Sequence, residues 1–339
     1  MRISNYLSEK IRIISLLLTV LIVILHANMA NLCTGCVCFA QNVITVEVTR
    51  IAVPLFYLIS GFLFCINYHN TWNDYRRKLC TRTRSLLIPY VLFLLCGSLG
   101  MFVLGRVYTI DTLWEIIKHG ILHSPPIFYP LWFLRDLYVM VLIAPIVYWL
   151  IKNSPVFLIL PIIIWLLGKN PFLFPTTEAM LFFSIGAFLS TKVAWLEQTK
   201  HKEGWGCFGL WLFLCLLNRY VSEYVIKLPY ATHCVILLLG IYAVWILYDK
   251  LYTKFSDCVK SAEICKYSFF IYLLHEPILT IFKKTGLFVL GSSSWSIGAI
   301  YVISPILTIL VVYGMGLFFN IYFPQLLVFI TGGRTRRGR

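Results

Sequence analysis

Apolar stretches of about 20 residues recur along this chain, parted only by short polar connections. Ten can be traced, near 11–30, 50–68, 86–105, 131–151, 155–170, 178–194, 206–222, 231–249, 267–285 and 297–323. As helices rising about 1.5 Å per residue, such stretches match the hydrocarbon thickness of a bilayer. Inside lipid the backbone must satisfy its own polar groups, which leaves helices or a closed barrel. No apolar–polar alternation is sustained, so the expected fold is all-α: a polytopic membrane helix bundle with about ten transmembrane helices. The sequence is 60% hydrophobic and only 13% charged, outside the range of soluble domains. It holds no polar block long enough for a soluble domain. One integral-membrane domain is expected over 1–330, followed by a basic cytosolic tail at 331–339. The first apolar run lacks a small-x-small cleavage site and reads as a span, not a removed leader.

The net charge of +15 invites a nucleic-acid partner, but its distribution argues against one. With the N-terminus in the cytosol, 20 of the 29 Lys and Arg fall on the inner side, and 9 fall outside or in the outer halves of spans. This asymmetry follows the positive-inside rule. It predicts ten spans with both termini cytosolic, since an odd number would strand Arg334, Arg336, Arg337 and Arg339 on the wrong side. Membrane lipid, not nucleic acid, is the expected partner of this charge. Most cysteines, such as Cys96 and Cys215, sit in apolar runs as small hydrophobes. Cys33, Cys36 and Cys38 instead cluster in the first outer loop, where a disulfide is open if the space is oxidising. A zinc site normally needs four ligands, no matching second half is visible, and no metal is expected.

Polar residues set into apolar runs carry the functional argument, because ionisable groups in a bilayer are expensive. His26 ends the uncharged run Ile13 to Leu25, and imidazole suits proton transfer near neutral pH. A histidine resting at the far interface is the plain alternative. The segment Pro130-Leu131-Trp132-Phe133-Leu134-Arg135-Asp136-Leu137 enters the fourth span. Tyr129 and Trp132 are placed as interface anchors, or as faces for a sugar, with Trp295 a further candidate. Adjacent helical residues do not face each other, so Arg135 and Asp136 are expected to have different partners. Arg50 leads the second span, where Pro54 and Gly61 permit a kink and close helix approach. Ser60 is expected to bond its own preceding carbonyl, and Glu47 to share a helical face with Arg50. The basic run Arg76-Arg77-Lys78 to Arg82-Thr83-Arg84 forms a cytosolic loop. On charge alone it orients the chain and meets anionic lipid. Its sharper reading is a phosphate site, because guanidinium forks match phosphate geometry. His275 is a second intramembrane histidine, followed by Glu276 and Pro277, which can mark a helix break.

In this order the residues resemble the acyltransferase-3 family of polytopic membrane proteins. The markers run from the first span to the ninth. They are a first span ending in His26, RIAVPLFYLISG at 50–61, the basic run with Leu87-Ile88-Pro89-Tyr90, PLWFLRDL at 130–137, Phe183-Ser184-Ile185-Gly186-Ala187, and SFFIYLLH at 268–275. Many members carry an arginine eleven residues before the first-span histidine, where this chain has Ser15. The nearest arginine is Arg12, about 300° around the helix and so near the same face.

The resemblance implies transfer of an acyl group, usually acetyl, from acyl-coenzyme A to a carbohydrate hydroxyl. The acceptor would be a surface or lipid-linked glycan, and the protein would sit in a bacterial cytoplasmic membrane. No tightly bound cofactor is implied. His26 then serves as base or acyl carrier, with Asp136, Glu276 or Glu47 orienting it and His275 assisting. Arg135 or Arg50 faces the developing oxyanion. Arg82, Arg84 and Arg12 are the candidates for coenzyme A phosphates. Because His26 lies roughly 24 Å along a helix from Lys10, a thioester held at the cytosolic end needs a wet path into the bundle. A glycan transporter or flippase is the rival reading, and a membrane sensor or scaffold a third.

Overall fold

The computed structural model describes residues 3–104, 109–123, 127–197, 204–260 and 263–335, with side chains at 110 and 253–260 outside the description. In chain order the α-helices are α1 (Asn5–His26), α2 (Gly35–Asn42), α3 (Ala52–Cys65), α4 (Trp72–Arg82) and α5 (Ile88–Val103). Then come α6 (Ile110–Leu122), α7 (Trp132–Asn153), α8 (Ile159–Leu166), α9 (Thr177–Leu189) and α10 (Val193–Glu197). The series ends with α11 (Gly204–Tyr224), α12 (Tyr230–Lys260), α13 (Ser268–Leu290), α14 (Ser294–Tyr322) and α15 (Pro324–Ile330). The described chain is all-α with no strand, and each of the ten apolar stretches falls on a helix.

Among the described residues six stretches are long and apolar enough to cross a membrane: Asn5–Leu32, Gly35–Cys65, Trp72–Val103, Tyr129–Asn153, Tyr230–Tyr252 and Ser294–Tyr322. Pro155–Leu166 and Thr177–Leu189 are apolar but shorter. The charges of α13 (Glu276, Lys283, Lys284) and the Asn218, Arg219 and Glu223 of α11 make those two helices more polar than an ordinary span. Hydroxyls inside the helices bond back to the preceding turn, as Ser15 to the Ile11 carbonyl at 2.7 Å, Ser98 to Leu94 at 2.8 Å and Thr308 to Ser304 at 2.7 Å. That keeps them satisfied without water. Side-chain N-caps start several helices: Ser4, Thr71, Thr176 and Ser293 each accept from a backbone N–H in the first turn.

Two segments expected as loops are helical. In the outer loop expected near 31–48, residues 35–48 form α2 and a π-turn at Val43–Val48, and a 3₁₀ turn at Thr49–Ile51 runs on into α3. The basic run at 76–84 lies in α4 and in a second π-turn, Thr83–Leu87, which leads into α5. Nor does α13 break at Glu276-Pro277; it passes through both to Leu290.

The centre of the bundle is the crossing of α3 and α9. A Cβ at Gly61 would stand 2.2 Å from the Phe183 carbonyl oxygen, and one at Gly186 would stand 2.1 Å from the Leu58 carbonyl oxygen. The two glycines let the backbones touch, the close approach that the sequence pattern predicts. Around them Phe62, Phe64, Phe182 and Phe183 are fully enclosed. At the start of α1, Lys10 pairs with Asp249 of α12 at 2.6 Å, both buried. Its ammonium lies 4.2 Å from the Trp245 ring, and the Tyr6 hydroxyl donates to the same carboxylate. Lys10, just ahead of the uncharged run that His26 ends, is buried in the interior.

Candidate active site

His26, the last residue of α1, opens into a cavity of about 160 Å³. Its walls bring together Arg50 from the 3₁₀ turn before α3, Tyr129 and Trp132 from the entrance to α7, Glu178 from the first turn of α9 and Tyr272 from α13. The Glu276 carboxylate, on α13, stands 3.8 Å from His26 Nδ1. The His275 ring lies 5.4 Å from that of His26, and Tyr129 at 6.1 Å. His275 donates from Nδ1 to the Tyr272 carbonyl at 2.7 Å, which leaves its Nε2 as an acceptor, buried and without a partner. Lys283 donates to the His26 carbonyl at 2.7 Å. It satisfies a terminal carbonyl and places a cation at the negative end of the α1 dipole.

A second cavity, of about 220 Å³, opens lower in the bundle. It is lined by the hydroxyl residues Ser15, Thr19, Ser60 and Ser268, by Arg82 and Arg334, and by apolar side chains. Phe133 and Tyr272 line both cavities. The two rings meet edge to face, 6.0 Å apart, and Tyr272 is held by a 2.6 Å hydrogen bond from its hydroxyl to the Pro130 carbonyl.

The structure thus gathers His26, Arg50, Tyr129 and Trp132 around one space, sets His275 and Glu276 beside His26, and puts Arg82 on the adjoining space. Arg135 and Asp136 lie on the wall of neither. Arg135 donates to the carbonyls of Ile121, Leu122 and His123 at 2.8–2.9 Å, which closes the C-terminus of α6. Asp136, fully buried, accepts the Thr176 N–H at 2.9 Å at the start of α9. Contrary to the expectation from helical spacing, the two are also partners of each other, at 2.8 Å. The long arginine side chain folds back along the helix, and its fork reaches both targets.

Arg84 faces a separate groove with Arg77, Cys80 and Gly332, two residues and a π-turn away from Arg82's cavity. Arg12 lines neither cavity. Glu47 does not join Arg50. It accepts from Asn218 at 2.9 Å and pairs with His233 at 3.1 Å, tying the π-turn to α11 and α12. Ser60 faces the lower cavity, and Trp295 is 77% exposed at the head of α14. Cys33 and Cys38 both point at the Ala30 carbonyl as free thiols, with Cys36 exposed beside them. Among the described residues no group of His, Cys, Asp and Glu is arranged to hold a metal ion.

Two cavity residues, Glu178 and Arg334, and one neighbour of His26, Lys283, escaped the sequence reading. Glu178 carries the same signal as His26, a charge at the edge of an apolar run, yet it also resembles an ordinary first-turn acid. Lys283, paired in sequence with Lys284, looks like an interfacial flank. Arg334 belongs to what reads as a basic tail.

The acyltransferase domain family matches residues 11–331. The chain is also similar to the succinoglycan biosynthesis protein ExoH of Rhizobium meliloti (strain 1021), 25% identical over 309 residues that cover 84% of this chain and 80% of that protein. No solved structure matches. The family match takes in the first helix, the α3–α9 crossing, His26, Arg50, Arg82 and Tyr272, so this chain belongs to that acyltransferase family, as a multi-pass membrane protein.

Proposed function

We propose that the protein moves an acyl group, acetyl from acetyl-coenzyme A in the expected case, to a hydroxyl of a surface or lipid-linked carbohydrate. It would do so in a bacterial cytoplasmic membrane, with both termini in the cytosol. The observation that carries this reading is the pair of cavities that share Phe133 and Tyr272, one holding His26 and the other Arg82. The donor enters at the arginine end, and its thioester reaches toward His26 past the two rings. The acceptor lies against Trp132 and Tyr129, whose flat faces suit the apolar face of a sugar.

The imidazole takes the acceptor hydroxyl proton as the oxygen bonds to the thioester carbonyl carbon. Arg50 faces the negative charge that develops on the carbonyl oxygen. The C–S bond then breaks, and the leaving thiolate takes the proton from the imidazolium. Glu276 beside Nδ1 stabilises that imidazolium while it exists. The similarity to a succinoglycan biosynthesis protein supports a saccharide acceptor.

The test is incubation of the purified protein, in a bilayer, with radiolabelled acetyl-coenzyme A and candidate envelope glycans. Label on the glycan is the expected result. Glycan movement across the bilayer without label would replace the reading with transport. Label trapped on His26 would make the imidazole an acyl carrier.

A further inference from the structure

The chain's last described segment turns back into the bundle. After α15, Thr331 is fully buried, with its hydroxyl donating to the Leu327 carbonyl at 2.7 Å. Gly332 and Gly333 accept φ values of +61° and +86°, which glycine tolerates without strain. At Gly332 a side chain has no room, since a Cβ would lie 2.4 Å from both the Arg84 carbonyl oxygen and the Ser85 Cα. This hook seats the chain against the π-turn that carries Arg84 and follows Arg82. The next residue, Arg334, enters the lower cavity, its guanidinium carbon 3.5 Å from the centre of the Phe269 ring.

Two guanidiniums, Arg82 and Arg334, therefore share one small cavity. Its lining contains no Asp or Glu. Neither arginine makes a hydrogen bond or ion pair among the described residues. Burial, and after it the Arg82 charge, pulls the Arg334 guanidinium down to about 9. Like charges brought together in a partly enclosed space without a counter-charge call for an anion from outside the protein. A diphosphate suits two forks, and Ser15, Thr19, Ser60 and Ser268 add hydroxyl donors.

We propose that the C-terminal hook is part of the donor site, with Arg334 and Arg82 together holding the diphosphate of a nucleotide thioester. The inference rests on the donor reading above and adds to it a residue from outside the spans. Ser15 of α1 and Arg334 of the tail line the same cavity.

The test uses the full chain in phosphatidylcholine nanodiscs, with coenzyme A and phosphate-free pantetheine as probes. The parent should bind coenzyme A more tightly than pantetheine. Arg334→Ala should bind coenzyme A roughly tenfold more weakly with pantetheine binding unchanged, and Arg334→Lys should fall between, because lysine keeps the charge and loses the fork. Gly332→Val, which dislodges the hook, should reproduce the alanine variant although Arg334 remains. Equal coenzyme A binding by the parent and a stably folded Arg334→Ala overturns the hook and leaves the donor reading standing. A parent that does not distinguish coenzyme A from pantetheine overturns both. Loss of the Arg334-dependent binding when phosphatidylglycerol is added assigns the arginines to a lipid headgroup and also overturns the proposal.

Discussion

His26 and Glu276 stand 3.8 Å apart, although they are contributed by α1 and α13 from opposite ends of the chain. Removing the imidazole should reduce acyl transfer by at least roughly 10²-fold, the usual contribution of a positioned base, with membrane insertion intact. Glu276→Gln keeps the shape and removes the charge, and a smaller loss confined to kcat is expected. Single-turnover assays on correctly inserted protein decide this. Near-normal turnover by His26→Ala would falsify the assignment of His26 to the reaction.

Asp249→Ala should destabilise the protein severely. It would leave the Lys10 ammonium buried without its carboxylate, at a cost of about 3–5 kcal/mol. Replacing both partners with apolar residues, Lys10→Met with Asp249→Leu, should recover most of that loss. Thermal unfolding in detergent reads both. A neutral Asp249→Ala would mean that Lys10 escapes to solvent.

Gly61→Ala and Gly186→Ala should each lower stability by about 1–3 kcal/mol or more, because the added methyl meets backbone and not a movable side chain. Gly206 and Gly209, with open space around them, serve as controls. If the α3 and α9 variants melt like these controls, the backbone contact at the crossing is not what holds it.

The expected topology puts His26 and Arg82 on opposite sides of the membrane. Cys36 and Cys80 are exposed near these two ends. In chains stripped of the other cysteines, an impermeant maleimide added to intact cells should label Cys36 and spare Cys80. Reversed labelling would invert the orientation.

Much of the site is legible in the sequence because charge within an apolar run is costly and must have a reason. That argument locates His26, Arg50 and His275 without any structure. It does not tell what the reason is. Arg135 and Asp136 satisfy the same criterion, yet their charges close the ends of α6 and α9. Arg135→Ala should accordingly cost stability before it costs chemistry. The rest depends on contacts between distant parts of the chain. Lys10 and Asp249 are separated by 239 positions, and no local pattern announces that they meet. Arg82 and Arg84 lie about 200° apart around a helix, and they line different spaces.

The two rings common to both cavities have an electrical consequence. Phe133 and Tyr272 stand at the boundary of the two spaces and narrow the way between them. Cut Phe133 back to glycine, and the two spaces join into a conduit with arginines at one end. A membrane potential does work of about 2.3 kcal/mol on each elementary charge per 100 mV, so even a narrow opening would dissipate it. The size of one aromatic side chain here sets the boundary between a transferase and a leak.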